Sequence, residues 1–400
     1  MKSNPTLTLL LAGTCGCLAA ASGAEPKTAP LGEKDAVMKG NASSYFVYVG
    51  TYTGPKSKGI YAGRMNPSDG GWSTLELAAE IKNPSFLVVH PKGQFIYAAS
   101  EVGDARNKQG GSVSAYRVEP GSGKLTLLNQ QSSGGDSPCH LAVDKAGKCL
   151  IVANYGSGSV AVLPVAADGR LGPSASFVQH YGSSVNPQRQ KEPHAHGITL
   201  DSANRLVLVT DLGLDKVLGY KLDAAVAEIE LKPDVTAMLK PGAGPRHSAL
   251  HPNGRFLYVI NELDSTLTVF GSRPLRDALK TVQSVSTVPA DFKGGNFPAE
   301  LEIHPSGRFL YGSNRGHDSI AVFAVDERSG KLTWVEAVSC QGKTPRHFKI
   351  DPTGRYLYAA LQDSDAIVPF RIDPGTGRLT ATGPKIEVGS PVCVLMVPAR

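Results

Sequence analysis

Short apolar runs recur in pairs along most of this chain, each pair joined by a Pro/Gly or Asn/Gly turn, with no helical spacing between them. The stretch Gly244 to Glu262, GPRHSALHPNGRFLYVINE, sets the pattern. It returns as NPSFLVVHPKGQFIYAASE (Asn83 to Glu101), SPCHLAVDKAGKCLIVANY (Ser137 to Tyr155) and HAHGITLDSANRLVLVTDL (His194 to Leu212). Two further copies are FPAELEIHPSGRFLYGSNR (Phe297 to Arg315) and TPRHFKIDPTGRYLYAALQ (Thr344 to Gln362). The turns fall at His90, Asp144, Asp201, His251, His304 and Asp351, in steps of 54, 57, 50, 53 and 47 residues. A period near 50 built from strands points to a radial β-array.

Each copy predicts the same unit. A first strand of about four residues meets the turn, and a β-rich second run such as FLYVI follows. Next comes an alternating third strand (SVSAYRV, SVAVLPV, KVLGYKL, TLTVF, SIAVFAV, AIVPFRI). In several copies a Gly-Lys-Leu or Gly-Arg-Leu turn then opens a fourth. Four antiparallel strands make a propeller blade, and blades must stack around an axis to bury both faces. Tyr45 to Tyr52 resembles a second strand without its first, whereas Ser390 to Pro398 resembles a first strand without its second. The expected fold is therefore an all-β, seven-bladed propeller of four-stranded antiparallel blades, closed by strands from both termini. It forms one domain over residues 45–398, and joining the two ends in one sheet removes the free edges.

The ends and the composition change this picture little. Lys2, the apolar run Leu7 to Leu11 and the small residues Ser22-Gly23-Ala24 predict a signal peptide over residues 1–24. That run is too short to span a bilayer. Residues 25–44 read as a polar linker, so the protein is expected to be exported, periplasmic or secreted. Leu11-Ala-Gly-Thr-Cys15 is an imperfect lipoprotein-like context that would add a lipid anchor. The formal charge of +6 is spread without a Lys/Arg run, which argues against nucleic acid as a partner. Cys139, Cys149, Cys340 and Cys393 have no metal or disulfide spacing and are expected to be small buried side chains.

The chemistry is expected at one end of the propeller. His90, His251 and His304 lie in the turn between strands one and two, where Asp replaces them in sister blades, so they are read as structural. At the opposite end strand one, the innermost, begins with a Pro. One and two residues beyond it come Arg246-His247, Arg346-His347, Cys139-His140, Ala299-Glu300 and Ser85-Phe86. Pro193-His194-Ala195-His196 is read as an insertion at the same point. Strand two ends on that face with Asn154-Tyr155, Asp211, Asn261-Glu262 and Asn314-Arg315. Imidazoles, carboxylates and guanidiniums around one funnel supply a base, an orienting acid and an anion clamp. The insertion Phe177 to Glu192, with His180 and Tyr181, is read as a flap or a surface loop. No P-loop, Rossmann fingerprint or HExxH is present.

Gly-Pro-Arg-His with His-Pro-Asn-Gly-Arg and Asn-Glu, Pro-His-Ala-His-Gly, Ala-Glu-Leu-Glu-Ile-His-Pro, Ser-Asn-Arg-Gly and the opening YVGTYT…GIY resemble the seven-bladed lactonase family. That family includes propeller-type 6-phosphogluconolactonases and resembles the carboxymuconate-lactonizing enzymes. The resemblance implies metal-free, cofactor-free hydrolysis of a small-molecule sugar lactone by a monomer. His194, Glu300, Arg246 and Arg315 are carried over as catalytic positions. His196, His247, Glu262, His140, Arg346 and His347 are the expected substrate-binding set, with no metal ligand among them. The alternatives are an exported sugar- or protein-binding propeller without catalysis and a muconate-type lactonizing enzyme.

Overall fold

The computed structural model describes residues 42–103, 110–271 and 278–399. The expected signal peptide and all but the last three residues of the linker lie outside the described residues. Seven antiparallel sheets follow one another in chain order. The first sheet holds Glu76–Glu80, Gly59–Met65 and Tyr45–Thr51, and its innermost strand is Pro391–Pro398 from the far end of the chain. Tyr45 pairs with Pro398 and Val49 with Val394, so the ring closes as the two half-repeats require. The other innermost strands are Pro84–Val89, Pro138–Val143, Ala195–Leu200, Pro245–Leu250, Phe297–Ile303 and Pro345–Ile350. Each packs against the next around the channel, and apolar clusters fill the seams between neighbouring sheets.

Two recurrent devices fasten the seams. In blade 5 the second strand carries Phe256 and Tyr258, and the Tyr258 hydroxyl donates to the Gly330 carbonyl of blade 6 at 3.2 Å. The same bond joins Tyr48 to Gly123, Tyr97 to Gly169, Tyr311 to Gly377 and Tyr358 to Gly70, the last across the closure seam. Those glycines belong to the turn before the fourth strand, which explains why the F-x-Y and Gly-Lys-Leu motifs travel together. Gly330 has φ +74°, and a Cβ there would sit 2.4 Å from a Phe256 ring carbon. Gly330→Ala is therefore expected to destabilise the protein by about 1–3 kcal/mol, through overpacking and a left-handed backbone that alanine resists. An unchanged denaturation midpoint would show that this seam does not need the glycine.

The turn histidines are the second device. Nδ1 of His90, His251 and His304 accepts the backbone N–H two residues on, each at 3.1 Å. The opposite nitrogen, which then bears the proton, donates to the carbonyl of Gly147, Gly307 and Gly354 in the next blade. Asp144, Asp201 and Asp351, whose carboxylates cannot donate to a carbonyl, instead accept backbone N–H groups of their own turns, and Asp144 also accepts Asn204 Nδ2 of the next blade at 3.1 Å.

The innermost strands share one irregularity that positions the site. Opposite the end of strand two, each inner strand carries a β-bulge: at Arg246 between Pro245↔Asn261 and His247↔Ile260, and likewise at Ser85, Cys139, His196 and Arg346. In blade 6 it spans Ala299 and Glu300. A bulge sets two residues against one and interrupts the alternation of faces, so consecutive side chains can serve one site.

Candidate functional site

Three positions of the repeat build the channel mouth. The position at the end of strand two, just past it in most blades and its last residue in blade 6, is Tyr52, Glu101, Tyr155, Leu212, Glu262, Arg315 and Gln362 in blades 1 to 7. Five of these seven, together with the bulge residues Cys139, His196 and Arg346, line a cavity of about 370 Å³. Phe297 and Arg189 complete the wall. The position after the bulge, with Glu300 from the wider bulge of blade 6, forms a deeper layer in which His247, Glu300 and His347 are buried and Phe86 and His140 half-buried. A larger cavity of about 610 Å³ lies at the seam of blades 7 and 1; it holds no imidazole, and its Lys56 pairs with Asp365 at 2.7 Å.

The structure brings most of the expected residues together, in two layers. At the mouth, Glu262 is buried and shared by three guanidiniums: Arg189 at 2.7 Å, Arg315 at 2.7 Å and Arg246 at 3.2 Å. Burial alone would raise its pKa, but Arg315, Arg246 and Arg189 outweigh that and hold it at about 2. Arg246 also donates to the Ala299 carbonyl at 2.7 Å, while burial and then the neighbouring Arg315 and Arg346 lower its pKa to about 10. Its Nε lies within ion-pair range of Glu262 without hydrogen-bond alignment. Arg346 lies 5.1 Å over the Tyr52 ring and 3.9 Å from Glu101, whose carboxylate accepts the Tyr52 hydroxyl at 2.9 Å.

The deeper layer is aromatic and imidazole-rich. Phe86 stacks on His140 at 4.0 Å, and the His140 and His247 rings meet edge to face at 4.8 Å. His247 and His347 approach one Glu300 oxygen at 3.2 and 3.3 Å, distances of ion pairs rather than aligned hydrogen bonds. Glu300, expected at the mouth, thus sits in this layer and does not line the cavity.

His194 and His196 are also placed differently from the expectation. Ala195 pairs with Asp211 as Pro245 pairs with Asn261, so there is no insertion in strand one and His196 is the counterpart of Arg246. His196 lines the cavity, with Nδ1 3.7 Å from the Cys139 sulfur. Burial, and after it Arg246 and His247, push its pKa well below the usual imidazole value. His194 precedes the strand. Its Nδ1 donates to the Tyr155 carbonyl at 2.9 Å and its ring stacks on Tyr155 at 4.3 Å, outside the cavity wall.

Sequence reasoning placed Tyr155 on this face but missed Arg189, Tyr52, Glu101 and Phe297 as wall residues. Tyr52 and Glu101 were readable, since they hold in their blades the place of Glu262. Arg189 lies in the non-repeating segment 177–192 and had no repeat to mark it. That segment does reach the mouth.

A chemically coherent picture results. Among the described residues, the guanidiniums of Arg189, Arg315 and Arg346 share the cavity wall with two carboxylates, Glu101 and Glu262, and the His196 imidazole, while buried Arg246 pairs with Glu262. Such a wall attracts an anion or a developing oxyanion and offers a proton acceptor next to it.

A profile of the family described as "Lactonase, 7-bladed beta-propeller" matches residues 46–396. A Bacillus subtilis protein named 6-phosphogluconolactonase is 38% identical over 300 residues, covering 75% of this chain and 83% of its own. One of the same name from Formosa agariphila is 32% identical over 290 residues, covering 72% of this chain and 80% of its own. A solved structure described as the periplasmic gluconolactonase of Pseudomonas aeruginosa superposes with a TM-score of 0.83 at 35% identity, over 90% of this chain and all of that one.

Proposed function

This chain belongs to the seven-bladed β-propeller lactonase family, and from that premise we propose that it hydrolyses a sugar-derived lactone in the cavity at the channel mouth. The observation that carries the reading is the cavity wall itself, where His196, kept neutral, stands among Arg189, Arg315 and Arg346. A neutral imidazole accepts a proton, so His196 takes the proton of a water molecule as its oxygen attacks the lactone carbonyl. Negative charge then develops on the carbonyl oxygen and is offset by the Arg315 and Arg346 guanidiniums. The ring C–O bond breaks as the imidazolium returns its proton to the departing alkoxide, giving a hydroxy acid. The environment that depresses the His196 pKa also makes its protonated form a strong acid for that last transfer. Because burial and Arg246 hold the imidazole neutral below its usual value of 6.5, the acid limb of kcat is expected below that value, and a limb centred there or above would count against His196.

Export is part of the same proposal, supported by the Lys2, Leu7–Leu11 and Ser22–Ala24 pattern. In a secretion-competent host the mature N-terminus is expected near Glu25; exported material that retains Met1 would overturn it. The function is tested by pH-stat titration of glucono-δ-lactone and its 6-phosphate. Acid release at least tenfold above the spontaneous rate at pH 6.5 is expected for one or both. Turnover of neither would sink the hydrolase reading.

A further inference from the structure

The guanidinium nearest to solvent at the mouth does not come from the repeat. Arg189 sits in the connection between blades 3 and 4, and its Nη2 donates to Glu262 Oε1 at 2.7 Å and to the Tyr155 hydroxyl at 3.2 Å. About a third of its side chain is exposed, against a few per cent for Arg246, so its remaining N–H groups are the ones an incoming ligand meets first.

The segment that carries it is tightly built. Fully buried His180 accepts or donates at both nitrogens: Nδ1 lies 2.6 Å from Asp211 and Nε2 lies 2.7 Å from the Tyr220 hydroxyl. Asp211 uses its other oxygen for the backbone N–H groups of His194 and Leu214. Beside Arg189, buried Gln190 donates to the Leu212 carbonyl at 2.8 Å, and Ser184 donates to Asp215. An Asp–His–Tyr array with no access to the cavity has no reactive partner. Its geometric effect is to fix where the segment leaves blade 3 and hence where Arg189 arrives.

We propose that Arg189 is the specificity-determining residue of the site, selecting lactones that bear a phosphate or carboxylate, and that the His180–Asp211–Tyr220 array positions it. The inference rests on the hydrolase reading given above. Among the described residues, the cavity wall carries three guanidiniums, Arg189, Arg315 and Arg346, against two carboxylates, Glu101 and Glu262, an excess positive charge that a neutral sugar lactone would leave uncompensated. Among the described guanidiniums at the mouth, Arg189 is the one with the most exposed side chain and so the most open to a charged group of the substrate.

The test compares glucono-δ-lactone, its 6-phosphate and a carboxylate-bearing glucarolactone. Arg189→Ala is expected to lower the kcat/KM preference for an anionic lactone over the neutral one by about 10- to 100-fold, the loss of one or two charge-assisted hydrogen bonds, mostly through KM. Arg189→Lys should restore part of it. Tyr220→Phe keeps the packing, removes one bond to His180, and should raise KM for the anionic lactone several-fold with kcat retained. The two arms identify which anion is recognised: preference for the phosphate alone, the carboxylate alone or both supports the proposal. An unchanged preference in Arg189→Ala, or an equal fall in kcat for all three lactones, overturns it. If the wild type turns over none of them, calorimetric binding of 6-phosphogluconate to wild type and Arg189→Ala still decides the matter, since equal affinity would refute the role of Arg189 and a tenfold loss would uphold it.

Discussion

His196→Gln is expected to lower kcat by at least about a hundredfold, the usual consequence of losing a positioned general base, with the thermal midpoint moving by no more than a few degrees. Glutamine nearly fills the imidazole's space and still offers a polar end to Cys139, which lies 3.7 Å from Nδ1, but it cannot take a proton. His196 is chosen over the other histidines by position. His140, His247 and His347 belong to the buried layer below the cavity, and His194 is stacked on Tyr155 outside the wall. His194→Ala should therefore cost less than about tenfold in kcat, well short of what a general base contributes. Glu300→Gln should act mainly on stability, because Glu300 faces two imidazoles rather than the cavity. The reverse pattern, with His194→Ala inactive and His196→Gln nearly normal, would move the base to His194 and refute this assignment. A variant that melts early yet turns over normally would mean that His196 is a seam fastener.

The blades, their number and their closure were legible because the repeat writes them out six times and the half-repeats at Tyr45–Tyr52 and Ser390–Pro398 complement each other. The structural role of His90, His251 and His304 was legible from the same source, since aspartate replaces them at sister turns. The layering of the site was not. Reading Arg246 and His247 as equivalent rim residues ignores that a bulge sends one to the mouth and the other below it, and a bulge is a matter of ladder hydrogen bonds that sequence spacing does not encode. The same irregularity misplaced His194: aligned on its proline it looks like an insertion, whereas the ladder aligns Ala195 with Pro245. Glu300 went to the deeper layer for the same reason. Arg189 escaped because a repeat-based reading is blind to segments that occur once.

Acidification is expected to unfold this protein well before ordinary carboxylates protonate. Three imidazoles, His196, His247 and His347, are buried together at the head of the channel, and half-buried His140 meets the His247 ring beside them. Burial is the largest cause in each case and opposes the charged form; Arg246 and neighbouring imidazoles add to it. His347 is lowered only to about 4, because Glu300 pulls back part of what burial and Lys349 impose. A lowered folded pKa means that the native state refuses a proton the unfolded chain accepts. Stability from these groups is thus complete above the unfolded value near 6.5 and declines as pH falls, for His347 until about 4. Each such group changes stability by roughly 1.4 kcal/mol per pH unit within its window, so three or four acting together amount to several kcal/mol between pH 6 and 5. Glu262 adds nothing in that range, since its own window runs from 4.5 down to about 2. Denaturant midpoints followed from pH 7.5 to 4.5 should therefore be flat down to about 6.5 and then drop with the slope of three or more protons taken up on unfolding. His347→Gln, which can still accept the Val394 N–H seen at 3.3 Å on Nδ1, should remove about one proton from that slope. A midpoint that stays level to pH 5 would show that the folded state takes up these protons as readily as the unfolded chain, and that the channel head is no acid trigger.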